Sequence, residues 1–211
     1  MRLFIAGEDE ATKAIIKRVL AYCSDNFEII SELPARGGQI KSKMKEFNNL
    51  SEKNPVILLT DLDANNCAPE LKAKLIDFEK HENFIFNIAI DEAEAWLMAD
   101  RLGFSRYFGV DINDIPQSVM KKQGGRKELT EMDFSYKSSM FLTHDLIKKS
   151  KKKDFVMQLS PKKGAAKGPE YNSAILPFIV NEWNIESACQ NSDSLSRMIQ
   201  RLNGLRNERS I

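Results

Sequence analysis

Histidine and cysteine are scarce in this sequence, which limits the metal chemistry and cross-linking open to it. The chain of 211 residues contains two histidines and three cysteines, and no two cysteines have Cys-x-x-Cys spacing. A zinc site built on histidine and thiolate ligands is therefore not expected. An odd number of widely spaced cysteines, without the apolar start of a secretory leader, is typical of reduced thiols. We therefore expect a cytoplasmic protein.

Long apolar runs and an excess of one charge sign are also missing. No segment approaches the roughly 20 apolar residues that cross a bilayer, so we expect no membrane association. The net charge is +1, with 42% apolar and 29% charged residues, as in an ordinary globular protein. The charges are nevertheless segregated, because acids crowd the first half and bases crowd residues 121–167.

Strand-like and helical segments alternate in the first half of the chain. Apolar runs at residues 3–6, 27–33, 55–63 and 84–91 predict four strands. Helical patterns follow them from residue 9 or 10, at 39–50, at 69–80 and at 92–102. This alternation predicts an α/β fold: a Rossmann-like, mostly parallel four-stranded sheet flanked by helices, forming a core domain over residues 1–102.

The second half has a different texture and predicts a mainly helical extension over residues 103–211. Helices are expected at 143–153, 171–180 and 192–205, and a loop at 109–117. Two glycine-containing basic segments, 121–128 and 160–171, are predicted to be a flexible stretch and a loop.

Acidic residues follow three of the four predicted strands, where the carboxyl ends of parallel strands meet at one edge of the sheet. They are Glu8, Asp9 and Glu10, then Asp61 and Asp63, and then Asp91, Glu92 and Glu94. Residues two apart in an extended segment point the same way, so Asp61 and Asp63 can share one ligand. Carboxylates gathered in this way repel one another unless a cation is present, and oxygen ligands favour Mg²⁺ or Mn²⁺. Glu92 belongs to this candidate ligand set.

Each acidic group also has a simpler interpretation. An Asp-x-Asp after a strand is often a helix cap or a solvated turn, and acids at residues 8–10 are favoured at the start of a helix. Glu92 and Glu94 can likewise be exposed residues of the helix that begins there. The coincidence of the three groups at corresponding strand ends is what favours a metal site.

Five motifs together resemble the Toprim fold of topoisomerases, primases and OLD-type nucleases, and a group of small bacterial Toprim-like proteins. They are the segments GEDE (7–10), RGG (36–38), LTDLD (59–63), EAEAWLMAD (92–100) and GPxYN (168–172). The resemblance implies that Asp61, Asp63 and one of Glu8 or Glu10 hold one or two Mg²⁺ ions. It also implies that Glu94 is the additional catalytic acid of the nuclease-like members. In many Toprim domains the first glutamate is directly followed by glycine, whereas in this sequence Ala6 precedes Gly7. The sequence therefore leaves the choice between Glu8 and Glu10 open.

The resulting hypothesis is a metal-dependent nuclease acting on DNA or RNA. Carboxylate-bound metal ions activate water and stabilise the leaving oxygen of a phosphodiester. Basic residues outside the acidic cluster would contact the phosphate backbone. The candidates are Arg36, Lys121, Lys122, Arg126, Lys127, Lys162, Lys163 and Lys167. The resemblance further suggests bacterial defence against phage together with an ATPase partner. Because the chain has no Walker motif of its own, any use of ATP would come from that partner.

Two other functions remain open at this point. One is a non-catalytic nucleic-acid-binding or regulatory subunit, which the near-neutral net charge favours. The basic residues also have a simpler interpretation as ordinary solvent-exposed surface. The other is a receiver-type phosphotransfer domain, which needs a lysine at the end of a late strand, and no clear candidate exists. The oligomeric state is also open, a dimer included.

Overall fold

The computed structural model describes residues 1–34, 39–63, 65, 67–123 and 125–207, with the backbone only at 123, 126, 127, 206 and 207. The chain divides into two compact units. The first is Met1–Ile90 with Arg197–Ile211, and the second is Asp91–Ser196. The sequence-based boundary at residue 102 falls inside the second unit.

A four-stranded parallel sheet forms the centre of the first unit. Its strands are β1 (Arg2–Gly7), β2 (Glu28–Glu32), β3 (Val56–Asp61) and β4 (Phe84–Ala89), in the order β2-β1-β3-β4. Every neighbouring pair is parallel, which confirms the predicted α/β fold. The first five residues of β3 are fully buried, because helices cover both faces of such a sheet.

Four helices of the first unit connect these strands. They are α1 (Glu10–Cys23), α2 (Gln39–Ser42), α3 (Met44–Leu50) and α4 (Ala68–Leu75). Ile40, Met44 and Phe47 pack in one apolar cluster with β3 and β4 residues such as Leu58 and Phe86. Right-handed crossovers leave β1 and β2 in opposite directions, so their helices lie on opposite faces of the sheet. Helix α1 therefore covers the face opposite to α2 and α3. The predicted helix at 39–50 is thus two helices, and the one predicted at 69–80 ends at residue 75.

The second unit is mainly helical, as predicted. Its helices are α5 (Ala93–Ala99), α6 (Arg101–Phe108), α7 (Ser138–Met140), α8 (Lys153–Leu159), α9 (Tyr171–Pro177), α10 (Ile185–Cys189) and α11 (Asp193–Asn207), whose C-terminal part belongs to the first unit. A short 3₁₀ turn occupies Ile112–Asp114 within the predicted loop. Helix α7 continues through a π segment, Phe141–Leu146, and a 3₁₀ turn, Ile147–Lys149; α9 continues through a π segment, Phe178–Glu182.

Two features of the second unit differ from the sequence-based expectation. The predicted flexible basic stretch at 121–128 forms an antiparallel ribbon of β5 (Met120–Gln123) and β6 (Arg126–Leu129). Its strands, MKKQ and RKEL, contain one apolar residue each and so lack the alternation of polar and apolar residues that predicts a strand. Helices α8 and α10 were also missed, because five to seven residues carry too little periodicity to predict a helix.

Aromatic side chains form the core of the second unit. Trp96, Phe104, Phe108, Phe178 and Trp183 are completely buried. The Trp96 indole donates to the Ser194 hydroxyl at 2.8 Å, and the Trp183 indole donates to the Trp96 carbonyl at 3.2 Å. Trp96 is therefore a core residue that connects α5 with residues near both ends of α10. All three cysteines are free thiols, and within the described ranges no helix is long and apolar enough to span a membrane.

Candidate functional site

The strand order predicts a crevice beside the carboxyl end of β1. From β1 the chain first adds β2 on one side of the sheet, and then returns to add β3 and β4 on the other. The reversal occurs between β1 and β3, and ligands of open α/β sheets bind outside the carboxyl ends of the strands at such a point. Glu8 directly follows β1 and Asp61 ends β3, so both flank this crevice.

The Glu8 carboxylate contacts the end of β3. One of its oxygens accepts hydrogen bonds from the Thr60 hydroxyl and, at 3.3 Å, from the Asp61 backbone N–H. Thr60 is fully buried, so this contact fixes Glu8 against the sheet rather than against solvent. Of the two glutamates that the sequence left open, Glu8 is therefore the one that lies beside Asp61.

Asp9 and Glu10 have the simpler role that the sequence also allowed. Asp9 is the N-cap of α1, where its carboxylate accepts from the Thr12 N–H and hydroxyl, both at 2.8 Å. Glu10 lies in the first turn of the helix, 54% exposed, and pairs with Lys13 at 3.1 Å. Gly7, just before them, allows a close approach of β1 to α1, because a Cβ there would lie 3.1 Å from the Lys13 backbone nitrogen.

Asp61 and Asp63 do not cap the following helix. The N-cap of α4 is Cys67, which makes no side-chain capping bond. Asp63 has a left-handed backbone with φ of 53°, which is uncommon for a residue other than glycine. Its carboxylate lies 2.5 Å from the Lys41 ammonium of α2. The helix-cap interpretation of the Asp-x-Asp motif is therefore wrong for α4.

The carboxylates of the crevice fit a hard divalent cation in their chemistry but are not yet arranged around one. Within the part of the chain that the structure describes, no three Asp, Glu, His or Cys side chains are grouped as a metal site. Glu8, Asp61 and Asp63 offer only oxygen donors, which suit Mg²⁺ or Mn²⁺. A cationic group already lies on one of them, since the Lys41 ammonium contacts Asp63.

The second unit holds the other acidic residues, each with its own partners. Buried Glu92 accepts from the Ser139 N–H at 2.8 Å and pairs with Lys137 at 3.3 Å. Asp91 has φ of 70°, and burial together with the Glu92 carboxylate raises its pKa to about 6. An acid in this state exchanges its proton near neutral pH.

Glu94 joins two of the motifs on which the resemblance rests. Its buried carboxylate accepts from the Tyr171 hydroxyl at 2.5 Å and pairs at 3.2 Å with Lys167, whose ammonium also lies 4.3 Å from the Tyr171 ring centroid. Gly168 allows this loop to approach α8, because a Cβ there would lie 2.2 Å from the Gln158 carbonyl oxygen. The segments 92–100 and 168–172 are thus connected through one buried carboxylate.

The predicted nucleic-acid-binding residues fall into three groups. Lys121, Lys122, Lys162 and Lys163 are exposed in the second unit, whereas Lys167 is engaged by Glu94. In the ribbon, the backbone register pairs Lys122 with Lys127 and Gln123 with Arg126, but the side chains of Arg126 and Lys127 lie outside the described residues. Arg36, with Gly37 and Gly38, lies outside them altogether.

Sequence reasoning missed the residues that hold the acids in place. Thr60 belongs to the LTDLD segment named above, but its contact with Glu8, 52 residues away along the chain, was not predicted. Lys41 and Lys137 carry no local signal, because each contacts an acid that is distant in sequence, at residues 63 and 92. Such pairs are visible only in the folded chain.

Comparison with known proteins identifies a family for the chain. A family model described as "Domain of unknown function (DUF4276)" matches residues 6–129, which is more than half of the chain. The matched range contains all four strands' carboxyl ends and every acidic residue discussed above. No curated protein sequence and no solved structure matches the chain.

Proposed function

The chain belongs to the DUF4276 family, and we propose that it is a Toprim-like, Mg²⁺- or Mn²⁺-dependent nuclease that hydrolyses phosphodiester bonds of nucleic acid. The observation that supports this most is the contact between Glu8 and the end of β3, at the point where the strand order reverses. That position is where open α/β sheets bind ligands.

Three residues of the first unit would hold the metal: Glu8, Asp61 and Asp63. Glu8 is held by Thr60, and Asp61 is the last residue of β3, so two of the donors lie against the end of the sheet. Asp63 would add a third oxygen donor after release from Lys41. A metal ion bound there supplies an activated water and stabilises charge on the phosphate.

The resemblance implies that Glu94 is an additional catalytic acid, and Glu92 is a further candidate metal ligand. In the second unit both carboxylates are buried and paired with lysines. Substitution of Glu94 by glutamine, which keeps its shape, tests whether that charge is needed for cleavage. Contact with the substrate backbone is proposed for the exposed lysines Lys121, Lys122, Lys162 and Lys163, through phosphate oxygens and without sequence reading.

The biological setting suggested by the resemblance is cytoplasmic phage defence together with an ATPase. The sequence lacks a Gly-x-x-x-x-Gly-Lys-Ser/Thr motif, so nucleotide hydrolysis would come from a partner chain. Cleavage should therefore be measured with the protein alone and again with a bacterial cell extract and ATP added.

The direct test is cleavage of supercoiled plasmid, single-stranded DNA and RNA in Mg²⁺ or Mn²⁺. Glu8→Gln and Asp61→Asn are expected to lower the rate by about 100-fold or more, because each removes a negative donor to the metal. Asp25→Asn, an exposed acid of the same unit, is the matched control. Cleavage that all variants share equally would identify a contaminating nuclease and contradict the assignment.

A second candidate is a nucleic-acid-binding subunit without catalytic activity. The ion pair between Lys41 and Asp63 favours it, because the acid already has a cationic partner within the protein. Absence of cleavage under every metal condition, with metal-independent binding of oligonucleotides that weakens at high salt, would select this function.

A further inference from the structure

The contact between Lys41 and Asp63 joins two distant parts of the first unit across the proposed site. Lys41 lies on α2, in the segment between β2 and β3, whereas Asp63 lies just after β3. Strand β1, whose end carries Glu8, lies between β2 and β3 in the sheet. The ammonium of Lys41 thus reaches, at 2.5 Å, an acid that lies 22 residues further along the chain.

This ion pair is suited to exchange rather than to permanent support of the fold. The Lys41 and Asp63 side chains are 29% and 36% exposed, so water screens their attraction. Ion pairs of this kind contribute little to stability. A divalent cation carries twice the charge of the ammonium and can accept several carboxylate oxygens at once, so it can replace Lys41 at low cost.

We infer that Lys41 is a built-in competitor of the divalent metal: its ammonium occupies the cation position at Asp63, and metal binding proceeds by exchange with it. This inference rests on the proposed function. It explains how negative side chains at one edge of the sheet are held without a bound metal. Lys41 therefore lowers the affinity for metal, and its removal strengthens binding.

The test is titration of the metal-free full-length protein with Mn²⁺ alone, followed by calorimetry or by electron paramagnetic resonance of free Mn²⁺. Lys41→Met keeps the length of the side chain and removes the charge, and is expected to tighten Mn²⁺ binding by about two- to tenfold. Lys41→Arg keeps the charge and should bind as the native protein does. Lys45→Met, an exposed lysine on α3, is the matched control and should have no effect.

The outcomes separate this inference from the function on which it rests. Tighter binding in Lys41→Met alone supports the exchange. Equal binding in Lys41→Met and the native protein, or weaker binding in the variant, overturns the exchange while leaving the metal site intact. No Mn²⁺ binding by any variant overturns both the exchange and the metal-dependent function. Lys41→Gln, tested in parallel, replaces Lys41→Met if circular dichroism shows that the latter is misfolded.

Discussion

Asp91 is expected to destabilise the folded second unit at neutral pH, and Asp91→Asn should relieve this cost. Its carboxyl is half-buried, and burial, with a smaller contribution from the Glu92 carboxylate, raises its pKa from 3.8 to about 6. Asparagine has nearly the same shape, carries no charge and tolerates the left-handed φ of 70° observed here.

The size and the pH range of the effect follow from that shift. A rise from 3.8 to about 6 corresponds to about 3 kcal/mol. Screening by solvent at this half-buried position reduces the expected value to about 1–2 kcal/mol. Because the folded state binds the proton more tightly than the unfolded chain, the protonated group favours folding. This contribution is lost as the pH rises from about 4 to about 6.

Urea denaturation followed by tryptophan fluorescence measures this directly, since both tryptophans, Trp96 and Trp183, belong to the second unit. Asp91→Asn should stabilise that unit by about 1–2 kcal/mol at pH 7.5 and by little at pH 4. Asp133→Asn, an exposed acid of the same unit, should change neither value. A gain of equal size at both pH values, or a loss at pH 7.5, would refute the reasoning.

Three further predictions test the packing and capping described above. Tyr171→Phe should destabilise the second unit by about 1–3 kcal/mol in urea, because it leaves the buried Glu94 with one hydrogen bond fewer; an unchanged midpoint would contradict this. In thermal melting, Gly168→Ala should lower the melting temperature, because its Cβ would press against backbone atoms. Gly204→Ala should raise the melting temperature, because its Cβ in α11 meets no atom within 4 Å and alanine favours a helix. Asp9→Ala should cost about 0.5–2 kcal/mol through loss of the α1 cap, with Asp9→Ser recovering most of it, as measured by urea denaturation.

The class of fold could be predicted from the local pattern of residues. Continuous apolar runs such as those of β3 and β4 are typical of strands buried on both faces, and the helices between them imply parallel neighbours. The helical period of α1 could also be predicted. Its apolar positions, Ile15, Ile16, Val19 and Leu20, are all buried in the structure. The ribbon strands β5 and β6 and the helices α8 and α10 were not predicted, because they are short and none contains an apolar run of four residues.

The acidic strand ends were also visible in the sequence, but the partners of each acid were not. Local rules predicted that Glu8, Asp61 and Asp63 would follow strands, whereas the choice between Glu8 and Glu10 depended on which one contacts β3. Residue types and their periodicity could be recognised in the sequence, because they depend on only a few neighbouring positions. Strand order, the point where it reverses and the pairing of Lys41 with Asp63 emerged only in the folded chain. Their physical cause is the burial of distant apolar segments in one sheet, which brings together charges that lie far apart along the chain.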